Sequence, residues 1–352
     1  MTYKETLFFV GKCLTINHEA HNKEIVKELL ESNTVDWDAV VKVSTSHYVF
    51  PALYCNLKQA DFLKYLPEDL VAYMQHLTDL NRDRNKEIIA QAKELNELLL
   101  ANNITPIFLK GTGNLLSGLY NDIAERMVGD IDLLFCNNSI ANKAFDYLIT
   151  DGYYKIYENH PRFHRHLSGL IKAKKISRIE IHKEMTTDKY ATHFNYNTIV
   201  NNIFSKDNIS FLAYKDQLSL SIIAKQINDD GQYFNDISLR NAYDVFLLAQ
   251  KVDTKESISR LNSQLVKPLN NFLASASLVL NSKTITYVSN KTSKTYINTF
   301  RKLIENKSFR DNHRKKWKRR IFISIRLNII SKALYKREYT YWLLKRLLKG
   351  RI

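Results

Sequence analysis

Two aspartates one residue apart inside an apolar segment constrain this chain more than any other feature of its sequence. The segment reads Gly-Asp-Ile-Asp-Leu-Leu-Phe and places Asp130 and Asp132 on either side of Ile131. Side chains alternate between the faces of a β-strand, so the two carboxylates share one face while Ile131 points into the core. Two such carboxylates repel each other unless a positive charge offsets them, and a hard divalent cation is the usual partner. The simpler alternative is a solvated strand end that carries two acids.

A second motif precedes these acids. Residues 107–109 form a short apolar strand, and Lys110-Gly111-Thr112 follows it where a helix is predicted to begin. Backbone N–H groups at a helix start favour phosphate, so Gly111 and Thr112 are candidates for contact with nucleotide phosphates. Because Mg²⁺ keeps waters and substrate phosphates among its ligands, paired acids beside such a turn favour a magnesium–nucleotide site.

A third carboxylate lies in a later strand. Residues 177–183 alternate so that Glu180 and His182 share one face. Together with Asp130 and Asp132, Glu180 gives the acids that a two-metal phosphoryl-transfer site needs. Two of them bridge the metals, and the third binds the metal that activates the attacking oxygen. His182 is a candidate phosphate contact or hydrogen-bond partner of Glu180, and a structural histidine is the alternative.

The order of these motifs resembles that of the uncharacterised nucleotidyltransferases of the DNA polymerase β-like superfamily. That family has a Lys-Gly pair after a strand, an Arg shortly before Asp-x-Asp, and a later strand with acid-x-His. The matching residues are Lys110-Gly111, Arg126, Asp130-Ile131-Asp132 and Glu180-Ile181-His182, and the resemblance covers roughly residues 35–250. The superfamily usually has Gly-Ser at the turn and often Asp as the third acid, where this chain has Gly111-Thr112 and Glu180.

The resemblance implies an α+β fold: a polymerase β-like core, with a small mixed sheet and helices, flanked by N- and C-terminal helical regions. It also implies a nucleotidyltransferase that moves a nucleoside monophosphate from an NTP such as ATP to an acceptor hydroxyl by two-metal catalysis, releasing pyrophosphate. Asp130, Asp132 and Glu180 are then the catalytic residues and the ligands of Mg²⁺ or Mn²⁺. The expected nucleotide-binding residues are Lys110, Gly111, Thr112, Arg126 and His182. The alternatives are a toxin-like or protein-modifying enzyme that acts on tRNA or protein, and an inactive nucleotide-binding module.

Helical spacing and composition divide the chain into four predicted regions. These are an N-terminal helical region (1–104), the catalytic core (105–205), a helical region that closes the cleft (206–300) and a basic C-terminal tail (301–352). The clearest helical pattern spans Asp69 to Leu100. In the core, a strand from Arg162 to Lys172 and a turn at Lys174-Lys175 predict an antiparallel hairpin with the strand of Glu180.

The tail carries nearly all of the net charge. It has 18 Lys and Arg against 3 acidic residues, whereas the whole chain has a net charge of +16. Trp317, Trp342 and several leucines are interleaved with these charges. Such a segment binds an anionic membrane surface or RNA, or packs on the protein body with its basic face in solvent.

Other function classes find little support. Cys13, Cys55 and Cys136 fit no disulfide or zinc spacing, which favours a reducing compartment. No Gly-x-x-x-x-Gly-Lys or Gly-x-Ser-x-Gly motif occurs. The apolar run 7–10 is too short for a signal peptide, and no apolar run approaches the roughly 18 residues of a membrane span. We therefore expect a cytoplasmic protein, with a peripheral position at the membrane as the alternative.

Overall fold

The computed structural model describes residues 1–156 and 165–348. Its N-terminal region is helical, as predicted, and a single 33-residue helix closes it. The helices are α1 (Tyr3–Cys13), α2 (Ala20–Glu31), α3 (Trp37–Ser46), α4 (Phe50–Gln59) and α5 (Glu68–Leu100). The predicted helix from Asp69 to Leu100 is therefore confirmed.

A mixed sheet follows, and the described part of the chain contributes seven strands to it in the order β3-β4-β5-β2-β1-β7-β6. The strands are β1 (Ile107–Leu109), β2 (Asp130–Leu134), β3 (Tyr154–Lys155), β4 (Leu170–Ile171), β5 (Arg178–His182), β6 (Phe204–Lys206) and β7 (Ile209–Phe211). Helix α6 (Lys110–Leu116) joins β1 to the segment before β2, and α7 (Asn138–Thr150) follows β2. The predicted α+β architecture, a small mixed sheet flanked by helices, is confirmed.

The register of the sheet brings the predicted acids together. Strands β2 and β5 run parallel, and Asp132 lies opposite Glu180. Their alternate residues point the other way, and Ile131 and Ile179 are fully buried there. Strand β4 pairs antiparallel with β5, as the predicted hairpin requires, but it is shorter than predicted: it spans only Leu170–Ile171, and His166 adds an isolated bridge to His182. Residues 162–164 of its predicted first strand lie outside the described part of the chain.

Polar side chains of α5 fix the ends of the two strands that carry the acids. Asn85 donates to the carbonyl of Arg126 at 2.7 Å, just before β2. Gln91 forms two hydrogen bonds with the backbone of Ser177 at the start of β5, at 2.9 and 3.0 Å. These amides are buried, so their hydrogen bonds satisfy groups that would be costly to leave unpaired. The long helix therefore positions both strands against each other.

The C-terminal region returns to helices and packs against the N-terminal ones. Its elements are α8 (Tyr196–Ile199), α9 (Tyr214–Ile223), a π-helical turn (Ala224–Asn228), α10 (Gly231–Phe234), α11 (Leu239–Ala249), α12 (Thr254–Ser259), α13 (Ser263–Leu280) and α14 (Lys291–Glu305). Asn22 of α2 donates to the carbonyl of Leu280 at 2.8 Å, which ties the end of α13 to the N-terminal region.

The basic tail forms helices α15 (Lys307–Ala333) and α16 (Arg337–Leu348). Helix α14 buries Phe300, Leu303 and Ile304 against the body, so the first residues of the predicted tail are part of the core. Helix α15, in contrast, has no buried residue. Among the described residues, no helix combines the length and the apolar composition that crossing a membrane requires.

Candidate active site

The site is built on a strained lysine between β1 and α6. Lys110 has a φ of 51°, in the left-handed region. This conformation costs an L-residue other than glycine roughly 1–2 kcal/mol. It directs the ammonium group across the sheet, where Nζ lies 2.5 Å from Oδ1 of Asp132 and 3.3 Å from Nε2 of His182. Strain at such a position is typical of functional sites.

Asp132 is the centre of the cluster. Its side chain is buried, and its Oδ1 also lies 2.7 Å from Nε2 of His182, which donates to the carboxylate. Burial by itself raises the pKa of Asp132. The charge of Lys110 and the hydrogen bond from His182 lower it by more, so the pKa lies well below its usual range. Burial and the charge of Lys110 lower the pKa of His182 to about 4. At neutral pH the cluster therefore contains an ionised Asp132 and a neutral imidazole.

The other two predicted acids share a cation. Burial and the neighbouring charge of Asp132 raise the pKa of Glu180. Arg178, two residues earlier on β5, pairs through Nη2 with Glu180, and its Nε lies 3.3 Å from Oδ1 of Asp130. Asp130 is more exposed than Asp132 and faces this arginine. Alternation within β5 explains the pairing, because residues 178, 180 and 182 share one face of the strand.

Three of these side chains form a group that can hold a metal ion. One ligand atom each from Asp132, Glu180 and His182 lies within 4.8 Å of the others. The two carboxylate oxygens suit hard cations such as Mg²⁺ or Mn²⁺, whereas an imidazole nitrogen is more typical of zinc and other transition metals. The donor set and its spacing therefore fit a divalent cation. Asp130 lies outside this three-residue group, so its role as a metal ligand stays a prediction.

The turn at Gly111 and Thr112 presents backbone rather than side chains. The Thr112 hydroxyl is fully buried and donates to the carbonyl of Asp130 at 2.8 Å, which holds α6 against β2. The first N–H groups of a helix have no partner inside it, so these groups of α6 are the part of the turn that suits phosphate. A Cβ at Gly113 would lie 2.6 Å from the carbonyl oxygen of Phe108, so the close packing of α6 on β1 requires glycine there.

Arg126, the other basic residue predicted to bind nucleotide, lies in a buried ion pair. Its Nε is 3.0 Å from Oδ1 of Asp244 on α11, and its Nη1 donates to the carbonyl of Met127 at 2.7 Å. Tyr120 donates to the same carboxylate at 2.7 Å. These contacts tie the segment before β2 to the C-terminal helices. A contact between Arg126 and nucleotide stays a prediction.

The structure thus brings together four of the predicted residues and separates others. Lys110, Asp132, Glu180 and His182 form one cluster. Sequence reasoning assigned no role to Arg178, although its place two residues before Glu180 on an alternating strand is a readable signal. Nothing in the local sequence indicates that Asp244 is the partner of Arg126.

A small mixed sheet with an acid on each of two adjacent parallel strands, next to a lysine that opens a helix, is consistent with a nucleotidyltransferase domain. The model of the family described as uncharacterised nucleotidyltransferase matches residues 33–281. The chain therefore belongs to this family. A search of curated proteins finds no match.

Proposed function

We propose that the protein transfers a nucleoside monophosphate from an NTP to the hydroxyl group of an acceptor. In this reaction the acceptor oxygen bonds to the α-phosphorus, the bond between that phosphorus and the bridging oxygen breaks, and pyrophosphate leaves with the electron pair. The hydroxyl proton passes to a base or to solvent. The observation that carries the proposal is the cluster of Asp132, Glu180 and His182 beside Lys110, on the fold of this family.

Asp132 and Glu180 are the proposed ligands of Mg²⁺ or Mn²⁺, with His182 adjacent and Asp130 as the further acid. A bound divalent cation supplies positive charge against the phosphates and lowers the pKa of the attacking hydroxyl. Lys110 contributes a second positive charge next to the same carboxylate. The N–H groups of Gly111 and Thr112 are the proposed cradle of the β- and γ-phosphates. Electrostatic stabilisation is then the main catalytic contribution.

Labelled nucleotide provides the test. Each α-³²P-labelled NTP is incubated with the protein, Mg²⁺ or Mn²⁺, and a cell extract that supplies acceptors. We expect label transfer by the wild type, and a loss of at least about 100-fold in Asp132→Asn and Glu180→Gln, which matches the loss of a principal electrostatic group. Asp146→Asn is the matched control, because Asp146 is an exposed acid on α7. Asp130→Asn should also abolish transfer, because Asp130 is proposed as a further metal ligand.

The same experiment separates the alternatives. Fractionation of the labelled extract shows whether the label enters small molecules, tRNA or protein, and the last two would identify the toxin-like or protein-modifying enzyme. Circular dichroism must show that each variant is folded. Full activity of Asp132→Asn would contradict the proposed mechanism. Binding of NTP without transfer to any fraction would favour the inactive module.

The apolar half of α15, residues 321–334, indicates that a membrane surface is the partner of the tail. Residues 307–320 of α15 are mostly basic, whereas 321–334 are mostly apolar. Within the apolar half, large side chains are at least half exposed: Phe322, Ile325, Leu327, Ile330 and Leu334. Exposed aliphatic groups next to basic ones suit the interface of an anionic bilayer, whereas RNA uses charge and aromatic stacking. We infer that the tail binds anionic lipid.

Co-sedimentation with vesicles containing phosphatidylserine tests this inference, with filter binding of tRNA in parallel. Wild type should bind the vesicles and keep a salt-resistant fraction, because apolar insertion is not screened by ions. Leu327→Ser with Leu334→Ser should lose that fraction and keep the salt-sensitive one. A truncation before Ile321 leaves α14 and the basic half of α15 intact. If this truncation binds vesicles as well as the full chain does, or if only tRNA is bound, the inference is wrong.

A further inference from the structure

A basic pocket of about 480 Å³ lies between the turn after α3, the π-helical turn, the start of α11 and the first turns of α15. Four cations line it: Lys225, Arg240, Arg310 and Arg314. Two acids, Asp229 and Asp236, also line it, so positive charge is in excess. A concave site with this balance suits an anionic ligand.

The cations differ in how many ion pairs and hydrogen bonds they form with the protein itself. Asp236 forms ion pairs with Lys225 at 2.9 Å and with Arg314 at 3.2 Å, so one carboxylate compensates two cations. Nε of Arg240 is buried and has no hydrogen-bond partner among the described residues. Buried polar groups are normally paired, so Arg240 is a cation that the protein itself leaves incompletely satisfied. Its side chain is only partly buried, and an oxyanion beside the accessible part of the guanidinium would pair with its charge.

A strained aromatic residue holds Arg240 in place. Tyr48 has a φ of 57° at the end of α3, a position where glycine or asparagine is usual. Among the described residues other than Asn, Asp and Gly, only Lys110 and Lys174 share this conformation, and Lys174 lies in the hairpin turn. The Tyr48 ring is half exposed, and the guanidinium of Arg240 lies 5.0 Å from its centre. The left-handed conformation ends α3, where the Val49 N–H donates to the carbonyl of Ser44 at 2.9 Å, and it leaves the ring beside Arg240 rather than in the core.

The π-helical turn links the pocket to the strand of the catalytic cluster, because Asn228 donates to the carbonyl of Met185 at 3.0 Å, three residues after His182. Asp229 lines the pocket, and the positive charges of both Lys110 and Arg240 act on its carboxyl group, although burial dominates and raises the pKa. The triphosphate of an NTP already has its proposed partners at Lys110 and Gly111. The neighbouring pocket is therefore free to hold the other substrate.

We propose that the basic pocket binds the acceptor, and that this acceptor carries a phosphate or carboxylate group that pairs with Arg240 and Arg314. Tyr48 acts as a positioning residue for Arg240. This inference rests on the proposed transferase function for its reading of the ligand as an acceptor. The oxyanion site itself rests on the geometry of the pocket alone.

Thermal unfolding with inorganic phosphate as the probe tests the site, at an ionic strength kept constant with sodium chloride. Ligands that bind only the folded state raise its midpoint. Phosphate should stabilise the wild type, Asp132→Asn and the control Arg301→Gln, whose arginine is exposed on α14. Arg240→Gln should lose at least half of this shift. An unchanged shift in Arg240→Gln overturns the proposal.

The arms with nucleotide distinguish the two sources of phosphate. NTP with Mg²⁺ should stabilise Arg240→Gln as it does the wild type, and should fail to stabilise Asp132→Asn. If Arg240→Gln loses the response to NTP and to phosphate together, the pocket holds the triphosphate and the acceptor assignment is wrong. If no NTP stabilises the wild type while the phosphate response still depends on Arg240, the transferase proposal and the acceptor assignment fail and the oxyanion site stands.

Variants of Tyr48 guard against a purely structural explanation. Tyr48→Gly removes the backbone strain and should unfold at a higher temperature without phosphate, yet respond less to phosphate because Arg240 loses its support. Tyr48→Phe keeps the ring and should keep the full response. A gain in stability with a loss of binding is not expected of a residue that only packs. A full phosphate response in Tyr48→Gly contradicts the role of the ring.

Discussion

Replacing Lys110 by methionine should leave the buried negative charge of Asp132 without its neighbouring cation. The ammonium group lies 2.5 Å from Oδ1 of Asp132, whose side chain is only 8 % exposed. Loss of one partner of a buried ion pair costs about 3–5 kcal/mol, because the other charge is left uncompensated. Asp132 keeps its hydrogen bond to His182, so we expect the lower value, about 3 kcal/mol. Methionine has a similar length and the same backbone strain, so that contribution is unchanged.

The expected change is measurable as a shift in the thermal midpoint. With an unfolding entropy of about 2.1 cal/mol/K per residue, 3 kcal/mol corresponds to roughly 4 °C for a chain of this size. The measurement is circular dichroism on heating, first with EDTA. Lys172→Met is the matched control, because Lys172 pairs with Asp151 at 2.8 Å in a more exposed setting. Such pairs contribute about 0–1 kcal/mol.

Repeating the measurement with excess Mn²⁺ distinguishes a metal site from an ordinary ion pair. Metal that is present at about 100 times its dissociation constant stabilises by about 2.7 kcal/mol, which would restore most of the loss in Lys110→Met. The wild type should gain less, because its own ammonium already compensates Asp132. If Lys110→Met is as stable as the wild type in EDTA, or if Mn²⁺ stabilises both equally, the charge balance inferred for the cluster is wrong.

Two further predictions concern the scaffold. Burial lowers the pKa of His47 to about 4. Below about pH 6.5 the unfolded chain therefore binds a proton that the folded chain does not. The free energy of unfolding should fall by about 3 kcal/mol between pH 6.5 and 4 for this reason. In His47→Gln the midpoint should depend less on pH over this range, and parallel curves for the two proteins would contradict the assignment. Gly113→Ala should destabilise by about 1–3 kcal/mol, because its methyl group meets the Phe108 carbonyl. Gly129→Ala, with no atom within 4 Å of its Cβ, is the calorimetric control, and equal midpoints for the two variants would refute the packing argument.

The sequence predicts those parts of the fold that depend on local periodicity. Alternation placed Asp130 and Asp132 on one face of β2, and Glu180 and His182 on one face of β5, because side-chain direction in a strand follows from position alone. The helical spacing of α5 was readable for the same reason. The order of the motifs then supplied the family, and the match over residues 33–281 confirms it.

Contacts between distant parts of the chain were not readable in this way. Arg126 and Asp244 are 118 residues apart, and each has an ordinary local context. The strain at Tyr48 is similarly invisible, since no sequence signal distinguishes a tyrosine in the left-handed region from one in a helix end. The composition of the tail was readable. The burial of Leu303 and Ile304, in contrast, depends on how α14 packs against the body.

The charges of the cluster indicate how the site would meet a nucleotide. Each predicted metal ligand among the acids already has a cation beside it: Lys110 contacts Asp132, and Arg178 contacts both Glu180 and Asp130. A divalent cation alone must compete with these groups, which weakens its binding. A triphosphate that arrives with the cation offers oxyanions to the ammonium and the guanidinium as they leave the carboxylates. We therefore expect Lys110 and Arg178 to favour joint binding of metal and NTP over binding of either alone.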